Sequence, residues 1–208
     1  MRKIRTIRGL DEFGRVQLSE HFRMRDFLYS DISNFYSIPN IPGDPNLAIN
    51  AGRALCEHLL EPLKKKFGEI LIRSAFRSEA VNDFGNKNGL NCASNQRNYA
   101  HHIWDRRDKD GNMGATACIS IPWFSSCLSD DVDWRQLAWW IHDHLPYNEM
   151  VFFPRNAALN LNWRENPQRR IDSYARPRGC LTKPGMSGRD NQHPERYPLI
   201  SRGLDPVT

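Results

Sequence analysis

A chain of 208 residues, 39% of them hydrophobic, has apolar side chains enough for one core and is short for two. No stretch approaches the ~18 uninterrupted apolar residues of a membrane span. The charged start Met1-Arg2-Lys3-Ile4-Arg5 is not followed by the apolar run of a secretory signal, so synthesis in the cytoplasm is expected. The net charge of +5 gathers at the ends: residues 1–25 carry seven Arg/Lys against three Asp/Glu, and residues 163–208 carry nine against five. Such ends suit an anionic wall polymer or an acidic neighbour in a protein assembly. No basic block is dense enough, or interleaved closely enough with aromatics, to mark a nucleic-acid site. Cys56, Cys92, Cys118, Cys127 and Cys180 are odd in number and irregularly spaced, which argues for a reducing compartment over a disulfide scaffold.

In chain order, residues 1–17 read as a basic N-terminal arm. Phe22, Phe27 and Leu28 form one face of a short helix between Arg23 and Tyr29, and Pro39, Pro42, Gly43 and Pro45 mark a loop. The best helix runs over roughly 47–66, capped by Asn46; Ala51, Ala54, Leu55, Leu59 and Leu63 recur at three and four residues, and Pro62 bends it before Gly68 stops it. Ile70, Leu71 and Ile72 predict a short strand, and Glu79–Phe84 a short helix. Residues 85–98 are Asn- and Gly-rich and read as loop. Asp110-Gly111 predicts a hairpin turn between strands over His102–Arg107 and Met113–Ile121. In the second of these Ala115, Ala117, Ile119 and Ile121 alternate with Thr116, Cys118 and Ser120, as a strand with one buried face does. Asp130 or Asp131 caps a helix over 133–144 that buries Trp134, Leu137, Ala138 and Ile141; Trp139 and Trp140 cannot both share that face, which leaves one for a cleft lip, a docking surface or packing against the tail. His142 and His144, two apart, point to different faces and do not pair as ligands. Met150–Phe153 and Ala158–Trp163 predict a second hairpin. From 171 to 208 Pro and Gly recur without periodicity, as in an extension that wraps the domain or docks onto a partner. The sum is a single α+β domain, helices packed on a small twisted antiparallel sheet.

Several strings carry a likeness. They are Leu18-Ser19-Glu20-His21-Phe22 with Asp26-Phe27-Leu28-Tyr29-Ser30, then Leu60-Glu61-Pro62-Leu63, and above all Ile72-Arg73-Ser74-Ala75-Phe76-Arg77-Ser78 followed by Val81-Asn82. Over residues 18–170 the chain resembles the zinc D-Ala-D-Ala carboxypeptidase-like family (peptidase M15, hedgehog/DD-peptidase fold). The resemblance implies a peptidoglycan peptide as ligand, or a protein C-terminal tail for a diverged relative, with Arg77 on its carboxylate and Ser74 beside it. A guanidinium at a strand end suits that role, because it can grip a carboxylate through two parallel hydrogen bonds.

The family's metal motif (Ser, one residue, His, two, Gly, one, Ala, one, Asp) maps onto Gly114-Ala115-Thr116-Ala117-Cys118-Ile119, with Cys118 where the aspartate belongs and His101 or His102 set apart by an insertion holding Asp105, Asp108 and Asp110. A rival alignment pairs His101 with Asp108 at the family spacing but sets Trp104 at a glycine position. The zinc ligands so implied come from His101, His102, Asp108 and Cys118, with Glu149 as a relocated general base. Phe153 (or Phe152) falls at the family's glutamate position and Asn160 at its third histidine. Asparagine is a poor zinc donor, and phenylalanine cannot take a proton from a metal-bound water. The expectation is a wall-peptide metallopeptidase, or a diverged relative that binds such a peptide or serves as an inactive component of a phage-like particle, acting at the wall after lysis or in a virion.

Overall fold

Local capping chemistry sets the helix boundaries along this chain. A computed structural model describes residues 4–129 and 131–201. The N-terminal arm contains helix α1 (Ile7–Gly14), whose first turn is capped by the Thr6 hydroxyl and which buries Phe13. A single 3-10 turn, Met24–Phe27, stands where a short helix is predicted, and α2 (Asp31–Tyr36) follows behind a Ser30 cap. The long helix begins at α3 (Pro45–Leu55), capped by Asp44 rather than Asn46. The Asp44 carboxylate accepts from the Asn46 and Leu47 amides, and Pro45 has no amide to satisfy. Pro62 interrupts the regular helix: it cannot donate to the carbonyl four residues back, and Cys56–Leu60 widens into a π turn before α4 (Glu61–Phe67).

Strand β1 (Leu71–Ser74) leads into α5 (Glu79–Lys87), with the Ser78 hydroxyl as cap. The Asn-rich stretch holds one further turn of helix, α6 (Asn95–Asn98). Next come β2 (Gly114–Ser120), α7 (Pro122–Cys127) and α8 (Trp134–His144). The α8 cap is Asp133, which accepts from the Arg135 amide, in place of Asp131; Asp130 lies outside the described residues. Then follow β3 (Glu149–Phe152), β4 (Leu159–Arg164), β5 (Arg170–Ser173), β6 (Gly179–Thr182) and α9 (Pro198–Ser201). No helix of the described residues is long and apolar enough to cross a membrane.

The strands make one sheet in the order β1-β2-β4-β3-β5-β6. It is mixed where an antiparallel sheet was expected, because β3 and β5 run parallel. The short 165–169 connection reverses the chain after β4 and steps past the start of β3, so β5 runs against β4 and with β3. Asn148 fixes that step: its side-chain oxygen accepts from the Gln168 amide and its carbonyl from the Arg170 amide. The segment beyond residue 170 therefore builds two strands of the same sheet, and Tyr197 and Ile200 join the core.

One sheet face is apolar. Ala115, Ala117, Ile119, Met150, Phe152, Leu159, Leu161 and Ile171 are all buried in the core that α3 and α8 complete. Residues 102–107 do not form the first arm of a hairpin. Ile103 and Trp104 are wholly buried, the Trp104 ring packs against Phe27 and Phe76, and its indole N–H donates to the Thr116 carbonyl at 3.2 Å. The Asp110-Gly111 turn is present as a loop of its own, folded by the Asp108 carboxylate, which accepts from the Asp110 and Asn112 amides. Gly114 marks where this segment crosses β2: a methyl group there would run into the Ala100 and Trp163 carbonyl oxygens. Gly114→Ala is expected to cost about 1–3 kcal/mol or more, read as a lower urea midpoint at unchanged slope.

Candidate functional site

Alternation along the strands puts a polar row on the second face of the sheet. Ser74 of β1 lies opposite Cys118 of β2, which lies opposite Asn160 of β4. These three side chains floor a cleft of about 530 Å³, whose walls include Arg73, Arg77, His102, Phe153 and Arg155. Five of the residues singled out in the sequence (Ser74, Arg77, His102, Cys118 and Asn160) thus meet in one place, with Phe153 at the rim. Three arginines line the cleft, and none of its described lining residues is an Asp or Glu.

The Arg77 backbone is held from both sides. Its amide donates to the His102 carbonyl at 2.8 Å, and Asn40 brackets it, donating to the Phe76 carbonyl at 3.0 Å and accepting from the Ser78 amide at 2.7 Å. The opposite lip, 91–98, is braced by wholly buried Asn82, which donates to the Ala93 carbonyl and the Asn95 side chain and accepts from Asn98. The Arg77 guanidinium touches the Cys92 sulfur at 3.3 Å and pairs with no carboxylate among the described residues.

Burial keeps His102 neutral: desolvation, with Arg77 adding to it, pushes its pKa well below the ordinary value. Its Nδ1 donates to the Ala75 carbonyl at 2.7 Å, which leaves Nε2 as a lone pair. Desolvation also raises the Cys118 thiol, against the smaller opposing pull of Arg73 and Arg77, so it stays protonated.

The other expected ligands are elsewhere. His101 is set against the half-buried Arg164–Asp108 ion pair (3.1 Å); desolvation and then Arg164 bring its pKa down to about 4. Desolvation pushes Asp108 up, but bonds from Asn112 and the Asp110 amide, with Arg164, outweigh it and hold the carboxylate below its usual range. Neither residue lines the cleft. Glu149 shares the polar sheet face but lies opposite Asn162, outside the cleft; desolvation and then Asp172 raise its pKa. His101, His102, Asp108 and Cys118 do not converge as a ligand group, and the cleft's cationic walls oppose a divalent ion, so its residues do not fit the zinc that the resemblance implied.

Among the described residues, His142, Asp143 and His193 do bring ligand atoms within 4.8 Å of one another and could hold a metal ion. The sequence hid this group because His193 comes from the tail, fifty positions beyond Asp143. Every atom in it is already engaged. Asp143 accepts from the His193 amide (2.6 Å), His193 Nδ1 (3.0 Å) and the Tyr197 hydroxyl (2.9 Å). His193 Nε2 reaches the Gly188 carbonyl, while His142 Nε2 reaches the Arg189 carbonyl and its Nδ1 the Tyr147 hydroxyl. This is a latch that fastens residues 188–197 to α8. It also accounts for Trp139 and Trp140, both buried: His193 stacks on Trp139 at 4.1 Å, and Trp140 packs between Phe67 and His144.

No protein family, no curated protein and no solved structure matches this chain.

Two outcomes follow from these environments. Asp143→Ala strands three donors and is expected to cost about 2–4 kcal/mol in urea unfolding, with protease nicking of the 188–197 segment. His101, His102 and His142 are all depressed in the folded state. The unfolded chain therefore binds more protons below its ordinary histidine pKa of ~6.5, and stability falls as pH falls. With a folded value of about 4, His101 alone should remove about 2 kcal/mol between pH 7 and 5; the urea midpoint should track this, and His101→Gln should flatten the slope.

Proposed function

We propose that this protein is a diverged carboxypeptidase-like domain that binds a peptidoglycan peptide by its terminal carboxylate and does not hydrolyse it. The observation that carries this reading is the cleft in which Arg73, Arg77 and Arg155 gather with no opposing acid. Cations left unpaired in a cavity favour an anionic ligand, and a carboxylate matches the planar fork of a guanidinium. Ser74, Asn160 and the His102 Nε2 lone pair supply hydrogen-bonding groups for the adjoining peptide unit. Hydrolysis is left out because Cys118 is a neutral thiol, Glu149 lies outside the cleft and Phe153 offers no base. His142, Asp143 and His193, the group that could hold a metal ion, are engaged in the latch on α8, and none of them lines the cleft. A domain of this kind meets its ligand at the wall after lysis or as part of a particle, and the same cleft would take a protein C-terminal tail in an assembly.

Calorimetry with a muropeptide ending in D-Ala-D-Ala, its C-terminal amide and an all-L tail peptide tests the reading. The free acid should bind, the amide about tenfold or more weaker, and Arg77→Ala should lose a comparable factor. Tight binding of the L-peptide alone would make the ligand a protein tail. Release of D-Ala in the presence of zinc, or equal binding of acid and amide, would overturn it.

A further inference from the structure

Beyond the Phe153–Ala158 turn lies a second cavity, of about 400 Å³, which shares Phe153 and Pro154 with the arginine cleft as a common wall. It opens onto different chemistry. Phe124 of α7, Val132, Trp134 of α8 and Phe152 of β3 make an apolar lining, with the Trp134 and Phe152 rings 4.9 Å apart. Tyr174 closes one side, stacked on Phe153 at 5.9 Å. The size lies within the ~300–1,000 Å³ of small-molecule sites.

Two cationic side chains of this cavity have no acidic partner among the described residues. Arg176 and Arg178 stand exposed in the cavity wall. Arg178 donates only Nε, to the Tyr174 carbonyl at 3.1 Å, and Arg176 makes no hydrogen bond or ion pair among the described residues. The one carboxylate of the wall, Asp133, does not neutralise them: it accepts from Arg135 through both oxygens and caps α8.

We infer that this cavity is a binding site for a small amphipathic carboxylic acid, its hydrocarbon or aromatic body on Phe124, Val132 and Phe152 and its carboxylate on Arg176 and Arg178. A cation would face two unpaired guanidiniums. A polar anion such as a sugar phosphate would bury its hydroxyls against phenylalanine. A neutral hydrocarbon would leave the arginines unused. An acid with an apolar tail satisfies both ends of the cavity. The inference stands apart from the peptide-binding reading, because it uses neither Arg77 nor the polar row of the sheet.

The test uses the full chain and two matched pairs, octanoate with octanamide and phenylacetate with phenylacetamide, by calorimetry and tryptophan fluorescence. At least one acid should bind about tenfold tighter than its amide. The double variant Arg176→Ala/Arg178→Ala, which alters only exposed side chains, should erase that preference. Val132→Trp, checked for native circular dichroism, should fill the cavity and abolish binding. Failure of both acids to bind, equal binding of acid and amide, or octanoate binding that follows Arg77→Ala instead of the Arg176/Arg178 pair would each overturn the inference.

Discussion

The amide of Asn162 is the junction on which the cleft depends. It is buried on the polar face of the sheet, accepts from the Asn148 side chain, and donates toward the Ala100 and Ala115 carbonyls and the Thr116 hydroxyl. Through these contacts one side chain of β4 fixes β2, the start of β3 and the 99–103 segment that carries His102. Asn148 relays the link to the turn before β5. Buried polar groups in a low-dielectric interior are costly unless fully paired, so such a network permits few arrangements. It ties the strands of the cleft floor to the segment that carries His102, beside the arginines Arg73, Arg77 and Arg155.

Charge is distributed by the same logic. Several cations of this basic chain meet an acid: Arg106 pairs with Glu79, Arg107 with Glu165, and Arg164 with the half-buried Asp108. The exposed pairs contribute little to stability. What matters is where acids are missing. The cleft and the neighbouring cavity, separated by the Phe153–Ala158 turn, both present arginines that no wall carboxylate neutralises. The two sites differ in their linings, hydrogen-bonding side chains in one and aromatic rings in the other, and so suit ligands of different polarity.

Much of the fold could be read in the chain. The interruption of the long helix ahead of Pro62, the helix near 79–84, the strand over 114–120 and the second hairpin all follow from local rules, and the structure bears them out. Where local reading failed, a distant group decided. Asp44 took the cap from Asn46 because Pro45 fits the first helical position. Residues 102–105 became a buried strap, with Trp104 filling a pocket of core aromatics. The parallel pairing of β3 with β5 came from a short connection whose path is set by Asn148. The convergence of Ser74, Arg77, His102, Cys118 and Asn160 was suggested by likeness alone; Arg155 and Asn40 carried no signal, since each acts from a turn far away in sequence.

By itself, the sequence determined the α+β class, the single core and the position of Arg77 at a strand end, because periodicity, caps and turn residues act within a few positions. It could not determine which polar residues would share a site. His101 and His102 are neighbours, yet one lies against an ion pair and the other on the cleft wall. His142 and His193 are far apart, yet both serve the latch on α8. Burial and hydrogen-bond partners are properties of the packed sheet and the loops laid on it, and only the tertiary structure decides which side chain is desolvated, which is paired and which is left for a ligand.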